Sequence, residues 1–388
     1  MMIEKQLRVA HISNVIDNRT NSGTARAAVE IITKLSEGPS IHQTLIHFEK
    51  FDHPVYRLPN LTEIIIPLKP FPIASHSFSF IYFWIKARLS KSDLEFDAIH
   101  WHASRVYPLF FILPAKITLI TLHDATNRIY KRVNTIWTRV FYWNLRLCQN
   151  KITYIIGDSI DACKNLISIG KFQSSKVKCI YLGSNFDKIQ AASPTNFREE
   201  DFFLCVSRWQ PHKNVTTLIS AFNSAYQEDV SIPNLVLVGK PVNGFDLPAK
   251  LISQFKLNQK VIVLNDLSDA ELAFLYDHAL IHISPSLYEG FGLPVLEGLK
   301  RNCPSVDHFG TSTSEVSGIA GLHIDMNNEN EISKNLLLLS RNRDLVDKLR
   351  KSAKLQSETF TWEKTVAQLK KLYLNEKVSQ DVERNDEI

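Results

Sequence analysis

Strand and helix patterns alternate along this chain in two long blocks, and their order is the strongest constraint on the fold. The first block covers residues 7–181, and the second restarts at Phe202. The later strand patterns of the second block lie at residues 234–238, 261–264, 281–284 and 320–323. Strands that alternate with helices form parallel sheets, and the helices cover the faces of the sheet. The sequence therefore predicts an α/β protein with two doubly wound, Rossmann-like domains.

A polar stretch at residues 186–200 separates the two blocks. It contains Ser193, Pro194, Thr195 and Asn196 and has no long apolar run, so we predict a linker there. The expected domains are then residues 1–185 and 201–360, and a chain of 388 residues is long enough for two cores. A helix and a charged tail are predicted at residues 361–388, where an apolar stripe recurs with helical spacing.

Two glutamates eight positions apart, Glu289 and Glu297, carry the strongest functional signal. An apolar strand pattern leads into a loop with Gly290 and Gly292, and a helix follows at Pro294. Free backbone N–H groups and the helix dipole favour phosphate at such a turn, while carboxylates accept hydrogen bonds from hydroxyls. Phosphate together with hydroxyls describes a nucleotide sugar.

A second strand–loop–helix pattern, at residues 202–225, carries two cations. Arg208 offers a planar fork and Lys213 a point charge, so together they could neutralise a diphosphate and stabilise it as it leaves. A loop cation is usually just solvated. The interpretation therefore depends on the order of Arg208, Lys213, Glu289 and Glu297 along the chain.

In this order and spacing, the four residues resemble the signature of glycosyltransferase family 4, the retaining enzymes of the two-lobed GT-B fold. The resemblance implies that Glu289 faces the donor sugar, that Glu297 binds the ribose, and that Arg208 and Lys213 stabilise the leaving diphosphate. It places the donor in the second domain, the acceptor in the first, and the reaction in a cleft between the lobes. The terminal helix is expected to cross back to the first lobe. The remaining donor-binding residues that it implies are Gly290, Phe291, Gly292 and Leu293.

The first block carries two weaker matches to the same family. Gly23 opens a helix where the family has a glycine-rich loop near the donor phosphates, but Ser22 replaces a second glycine, and a plain turn is the alternative. His123 follows the strand pattern at 117–122, where the family has a histidine near the donor sugar and the acceptor. We take His123 as a catalytic candidate that Asp124 orients, and a strand cap is the alternative. His100 and His102 remain unassigned.

The resemblance implies a retaining, metal-independent hexosyltransferase that needs no cofactor, because the nucleotide sugar is a substrate. The sequence of residues 288–294 resembles that of bacterial mannosyltransferases of surface polysaccharide synthesis. This resemblance slightly favours GDP-mannose over UDP-sugars as the donor. Three alternatives remain: a nucleotide-sugar epimerase, a glycosyl phosphorylase of the same fold, and a catalytically silent partner subunit.

Two local signals predict how helices begin and end. Ser268 and Glu271 have the spacing of a capping box at the start of a helix. Asn302 tolerates a left-handed backbone, so it predicts a turn soon after Glu297.

Charge is divided unevenly along the chain. Residues 1–190 have 24 Lys and Arg against 14 Asp and Glu, whereas the remainder has 21 against 26. A basic half favours an anionic membrane surface, and the aromatic and basic stretch at 71–88 is typical of an interfacial segment, although an ordinary core helix is the alternative. No motif indicates nucleic acid.

The remaining sequence features concern localisation and metals. No apolar run approaches the roughly 20 residues of a spanning helix, and no secretory segment is evident at the amino terminus. Five scattered cysteines fit reduced thiols and no metal site. We expect a cytoplasmic protein, peripheral at the inner membrane face, that acts on a glycan or lipid-linked acceptor.

Overall fold

The computed structural model forms two compact units. It describes residues 6–13, 16, 23–48, 53–67, 82, 85, 95–102, 115–123, 136–195, 197, 201–242 and 244–377. One unit comprises Met1–Leu182 together with Trp362–Ile388, and the other comprises Gly183–Thr361. The stretch at 71–88 therefore lies outside the described residues, apart from Tyr82 and Ile85.

The first unit is built on a seven-stranded sheet whose described strands all pair in parallel. The sheet order is β3-β2-β1-β4-β5-β6-β7. Its strands are β1 (Leu7–Ile12), β2 (Ile41–His47), β3 (Leu61–Ile65), β4 (Phe96–His102), β5 (Ala115–His123), β6 (Tyr154–Gly157) and β7 (Val177–Cys179). The first helices are α1 (Gly23–Ser36), α2 (Ile136–Cys148) and α3 (Ile160–Ser168). The order reverses between β1 and β4, which is where doubly wound sheets bind ligands.

The second unit repeats this plan with a six-stranded parallel sheet in the order β10-β9-β8-β11-β12-β13. Its strands are β8 (Phe202–Val206), β9 (Asn234–Val238), β10 (Val261–Leu264), β11 (Ile281–Ser284), β12 (Ser305–His308) and β13 (Gly321–Ile324). Its helices are α4 (Val215–Glu228), α5 (Leu247–Gln254), α6 (Asp269–His278), α7 (Leu293–Lys300), α8 (Ser312–Ser317), α9 (Glu329–Arg341) and α10 (Arg343–Ser357). Here the order reverses between β8 and β11.

The apolar runs that predict strands are buried because helices cover the sheet. In β8 four consecutive residues, Phe202 to Cys205, are buried, as expected for a central parallel strand. Helix α4 packs on this sheet through Leu218, Phe222 and Ala225, which recur with helical spacing. The predicted pair of Rossmann-like domains is confirmed.

The last helix, α11 (Trp362–Tyr373), belongs to the first unit, as predicted. Its Thr365 hydroxyl donates to the Tyr181 carbonyl at 2.7 Å, and the Tyr373 hydroxyl lies 2.7 Å from His100 Nδ1. Trp362 and Leu369 are buried on the same helix. The first unit is therefore assembled from two separate parts of the sequence.

The segment predicted as a linker packs against the second unit instead. Phe186 is buried and meets the Tyr276 ring edge-on, with ring centroids 5.8 Å apart. The Arg301 guanidinium donates to the Ile189 carbonyl at 3.1 Å, and Phe197 packs on Phe202. Polar composition is misleading here because a few apolar residues are enough to hold the segment on the domain surface.

In the part of the chain that the structure describes, no helix is both long and apolar enough to cross a bilayer.

Candidate active site

The second unit brings the predicted donor-site residues to one edge of its sheet. Arg208 and Lys213 follow β8, and Glu289 follows β11, the neighbouring strand. Because both strands are parallel, their carboxyl ends meet at the point where the strand order reverses. Residues from sequence positions about 80 apart are therefore neighbours in the fold.

Lys213 and Glu289 form an ion pair at this edge. The Lys213 Nζ lies 2.9 Å from Glu289 Oε1, and the Ser286 hydroxyl donates to the same oxygen at 2.7 Å. Burial opposes ionisation of Glu289, but the charge and hydrogen bond of Lys213 and the Ser286 hydroxyl together hold its pKa below the ordinary value. Glu289 is therefore a carboxylate that is fixed in place before any ligand binds.

Arg208 is the cation that is still available. Its side chain is exposed, and its guanidinium makes no hydrogen bond or ion pair with any residue that the structure describes. A planar fork of five N–H donors suits the oxygens of a phosphate. Of the two predicted cations, Arg208 is thus ready for an anion, whereas Lys213 already holds a carboxylate.

The loop that presents Lys213 owes its shape to Asn214. A short 3₁₀ turn, Pro211–Lys213, ends at Asn214, which has a left-handed backbone with φ of 55°. The Asn214 amide donates to the Met326 carbonyl at 2.6 Å, and its oxygen accepts from the Thr217 hydroxyl. Burial, followed by the charge of Lys213, lowers the pKa of the adjacent His212 to about 4, so this ring is neutral.

The glycine loop after β11 is close-packed. Gly292 has φ of 100°, and a Cβ there would lie 2.9 Å from the Thr313 methyl, so any side chain is strained. Phe291 is buried, and its ring meets the Phe360 ring edge-on. Any contact of Phe291 with a donor therefore falls to its backbone. Leu293 begins α7, and Glu297 is buried one turn into it.

A further glycine, Gly239, shapes the same edge of the sheet and was missed from the sequence. It follows β9 with φ of 146°, and a Cβ would lie 2.0 Å from the Ser207 carbonyl oxygen. The ends of β8 and β9 can approach this closely only without a side chain there. The sequence signal that could have identified Gly239 is its position directly after a strand pattern.

In the first unit, His123 is held by an aspartate that sequence reasoning did not find. His123 ends β5 with φ of 60°, and its Nδ1 lies 2.7 Å from Asp158 Oδ2, with both residues buried. Asp158 follows β6, the neighbouring strand. The predicted partner, Asp124, lies outside the described residues. A carboxylate at Nδ1 favours the tautomer that carries its proton on Nδ1.

Three buried histidines lie on the same sheet, where its order reverses. His11 Nδ1 lies 2.9 Å from His102 Nε2, and His100 contacts the hydroxyls of Tyr373 and Thr121, both at 2.7 Å. Burial lowers the pKa of His11 to about 3 and that of the other two well below the ordinary value, so all three are neutral.

One nitrogen from each of these histidines lies within 4.8 Å of the others, as a metal site would need. However, both nitrogens of His100 already have hydroxyl partners, and His11 and His102 bond each other. This geometry favours a hydrogen-bonded cluster. Gly23, the other predicted residue of this unit, is exposed at the start of α1.

Residues 187–356 match the family model described as glycosyl transferases group 1. The match lies within the second unit of this chain. The chain's curated relatives include O-antigen chain mannosyltransferase B of Escherichia coli, 29% identical over 44% of this chain and 44% of that protein. Another is O-antigen chain mannosyltransferase RfbU of Salmonella typhimurium, 28% identical over 48% of this chain and 50% of that protein. The matches span about half the length of these two relatives.

Solved structures match this chain over nearly its whole length. A glycosyltransferase from Rickettsia africae has a TM-score of 0.70 at 16% identity and covers 98% of this chain and 100% of its own. The Anabaena protein HepE, solved in complex with UDP and glucose, has a TM-score of 0.71 at 15% identity and covers 95% and 100%. At such low identity these likenesses show the fold, which is GT-B. The resemblance to bacterial mannosyltransferases is confirmed by the curated relatives.

Proposed function

We propose that this protein transfers a hexosyl group from a nucleoside diphosphate sugar to an acceptor hydroxyl, with retention of configuration. The observation that carries the proposal is the match to the group 1 model, in a unit where an exposed Arg208 follows β8 and a fixed Lys213–Glu289 pair lies at the reversal point of the sheet. Two cations and one oriented carboxylate match a leaving diphosphate and a sugar with hydroxyls.

The proposed reaction needs no nucleophile from the protein. The bond from the anomeric carbon to the phosphate oxygen breaks, and its electron pair leaves with the diphosphate, which Arg208 and Lys213 stabilise. The acceptor oxygen bonds to the same face of the sugar and gives its proton to the departing phosphate. Lys213 has three N–H donors, so it can contact phosphate while it still holds Glu289.

Glu289 would then accept hydrogen bonds from sugar hydroxyls, and Glu297 from the ribose. In the first unit, we assign His123 to hydroxyl recognition, with Asp158 fixing its ring and Gly23 near phosphate. Arg208 and Lys213 already neutralise phosphate, so the proposed mechanism requires no divalent metal.

GDP-mannose is the donor that we favour, and a surface polysaccharide the product. Support comes from the E. coli and S. typhimurium O-antigen mannosyltransferases and from the serotype-specific mannosyltransferase WbdA, which is 24% identical over 58% of this chain. The HepE complex with UDP and glucose makes UDP-glucose the natural competitor. The basic first half supports peripheral binding at an anionic inner membrane face, where a lipid-linked acceptor would lie.

A panel of nucleotide sugars tests this proposal. GDP-mannose should raise the melting temperature more than UDP-glucose does, and slow hydrolysis should release GDP in the presence of EDTA. Mannose released or transferred should keep its anomeric configuration, which NMR can follow. The metal-free mechanism is wrong if EDTA abolishes turnover and Mg²⁺ or Mn²⁺ restores it.

The same panel separates the other reactions that this fold supports. An epimerase would convert the donor without an acceptor, and a phosphorylase would require free phosphate. A silent partner subunit would bind a donor and form no product.

Glu297 offers a separate test of donor binding. Glu297→Gln keeps the volume but removes the charged acceptor, so we expect the donor KM to rise about tenfold, the worth of one charged hydrogen bond, with kcat nearly unchanged. Ribose contacts are the same in the ground and transition states. Glu329→Ala, at an exposed position on α9, is the control. A normal KM with a large fall in kcat contradicts the ribose assignment.

A further inference from the structure

Helix α2 presents an apolar stripe to solvent. Val140, Trp143 and Leu147 are 44%, 62% and 61% exposed, and positions i, i+3 and i+7 share one face of a helix. On the opposite face, Tyr142 and Leu145 are buried in the core of the first unit. The helix is therefore anchored by one face and leaves the other uncovered by any part of the chain that the structure describes.

Two arginines border this stripe. Arg139 and Arg146 are seven positions apart, so they lie almost in line along the helix, and both are exposed. Within the described part of the chain, neither guanidinium has an ion pair or a hydrogen bond. The surrounding sequence, residues 125–157, has six Lys and Arg and no Asp or Glu. The exposed face of α2 is thus apolar, and the two charged residues of the helix are both basic.

This combination is specific in its chemistry. Single exposed apolar residues are ordinary, but a tryptophan between two aliphatic residues and beside two arginines has the composition of an interfacial helix. Tryptophan favours the level of the lipid headgroups, and arginine is attracted to anionic lipid. At 13 residues α2 is about 20 Å long, which suits a helix lying in the plane of the interface.

We propose that α2 docks the protein on an anionic bilayer surface, with Val140, Trp143 and Leu147 inserted among the headgroups and Arg139 and Arg146 contacting lipid phosphates. Helix α2 would then be the surface through which the proposed peripheral binding to the membrane takes place. The proposal does not depend on which nucleotide sugar is the donor.

Sedimentation of the full chain with vesicles tests this surface. The protein should bind phosphatidylcholine vesicles that contain phosphatidylglycerol, bind poorly to pure phosphatidylcholine, and dissociate as salt shortens the screening length from about 10 Å at 0.1 M to about 3 Å at 1 M. Trp143→Glu should weaken binding about tenfold or more. The variant loses an apolar side chain that inserts among the headgroups, and it gains a negative charge that anionic lipid repels. The double variant Arg139→Glu/Arg146→Glu should lose the preference for anionic lipid.

Leu355→Glu is the matched control, because Leu355 is 64% exposed on α10 of the second unit. It should bind vesicles as the wild type does. The four replaced residues, in the test variants and in the control, are all exposed. We therefore expect unchanged melting temperatures, which would show that each variant is folded. Donor hydrolysis in solution should also be unchanged, because the replaced side chains lie outside the donor site.

Several results would overturn the proposal: equal binding to neutral and anionic vesicles, no binding to either, or an equal loss of vesicle binding in Leu355→Glu and Trp143→Glu. A second copy of the chain is the other occupant to exclude. If light scattering shows a dimer that Trp143→Glu separates, the stripe is a subunit interface and membrane docking is wrong. Absent donor hydrolysis with normal vesicle binding would instead contradict the proposed function alone.

Discussion

Replacing Arg208 by alanine should lower kcat by about 10²–10³-fold, the usual loss for one preorganised electrostatic contact, and leave the melting temperature unchanged. The guanidinium is exposed and has no partner among the described residues, so its removal costs the fold little. Its contribution is expected in the transition state, where charge grows on the leaving diphosphate. Initial rates at saturating donor measure the effect.

Arg343→Ala is the control for this variant. Arg343 is also exposed in the second unit, but it pairs with Asp201, which precedes β8 at the opposite end of that strand. Its loss should leave kcat unchanged. An Arg208→Ala enzyme with a normal kcat and a raised donor KM would mean that Arg208 binds the ground state alone, contrary to the assignment.

Lys213→Ala should lower both turnover and stability. The Glu289 side chain is only 14% exposed, so without Lys213 its charge loses its compensation, and breaking such a pair typically costs about 3–5 kcal/mol. Since the pair is partly open to solvent, we expect the lower end of that range. Urea unfolding at neutral pH measures the loss, and kcat should fall as for Arg208→Ala.

The pH dependence of Lys213→Ala has a definite sign. In the wild type the pKa of Glu289 lies below the ordinary value of 4.5, so its pair stabilises the fold above that pH and the effect is lost as pH falls through the lowered pKa. Without Lys213, burial is the dominant influence and raises that pKa. The variant should therefore regain stability relative to the wild type as pH falls toward 4.5.

A second substitution tests the coupling between these two residues. Lys213→Ala/Glu289→Gln removes the uncompensated charge, so it should recover much of the stability lost in Lys213→Ala but none of the turnover. If the double variant is no more stable than the single one, the ion pair does not explain the loss.

Local chemistry made much of the second unit predictable from the sequence. The capping box of Ser268 and Glu271 forms as expected, and Asn302 has the left-handed backbone that its turn requires, with φ of 57°. Lys213 and Glu289, which the motif order predicted to lie together, form an ion pair, and the sheet order explains why they meet. These signals involve neighbouring residues or the ends of adjacent strands, so the sequence displays them directly.

Features that depend on contacts between distant residues could not be predicted in this way. Asp158 reaches His123 from another strand, 35 positions along the chain, and nothing near His123 indicates it. His100 and His102 alternate along β4 as half-exposed residues would, yet both are buried because the sheet is covered. Phe291 lies within the donor motif but faces the core, since a motif gives the spacing of residues and not their direction.

The attachment of α11 to the first unit has a consequence for synthesis on the ribosome. The seven strands of the first unit emerge before the second unit, but the helix that buries Trp362 and bonds His100 through Tyr373 is translated only after it. Gly183–Thr361 forms a complete unit and can fold while the first still lacks a piece of its core. Although its strands are translated before the second unit, the first unit is therefore completed after it, and a nascent chain that stalls before α11 leaves an apolar face open to chaperones.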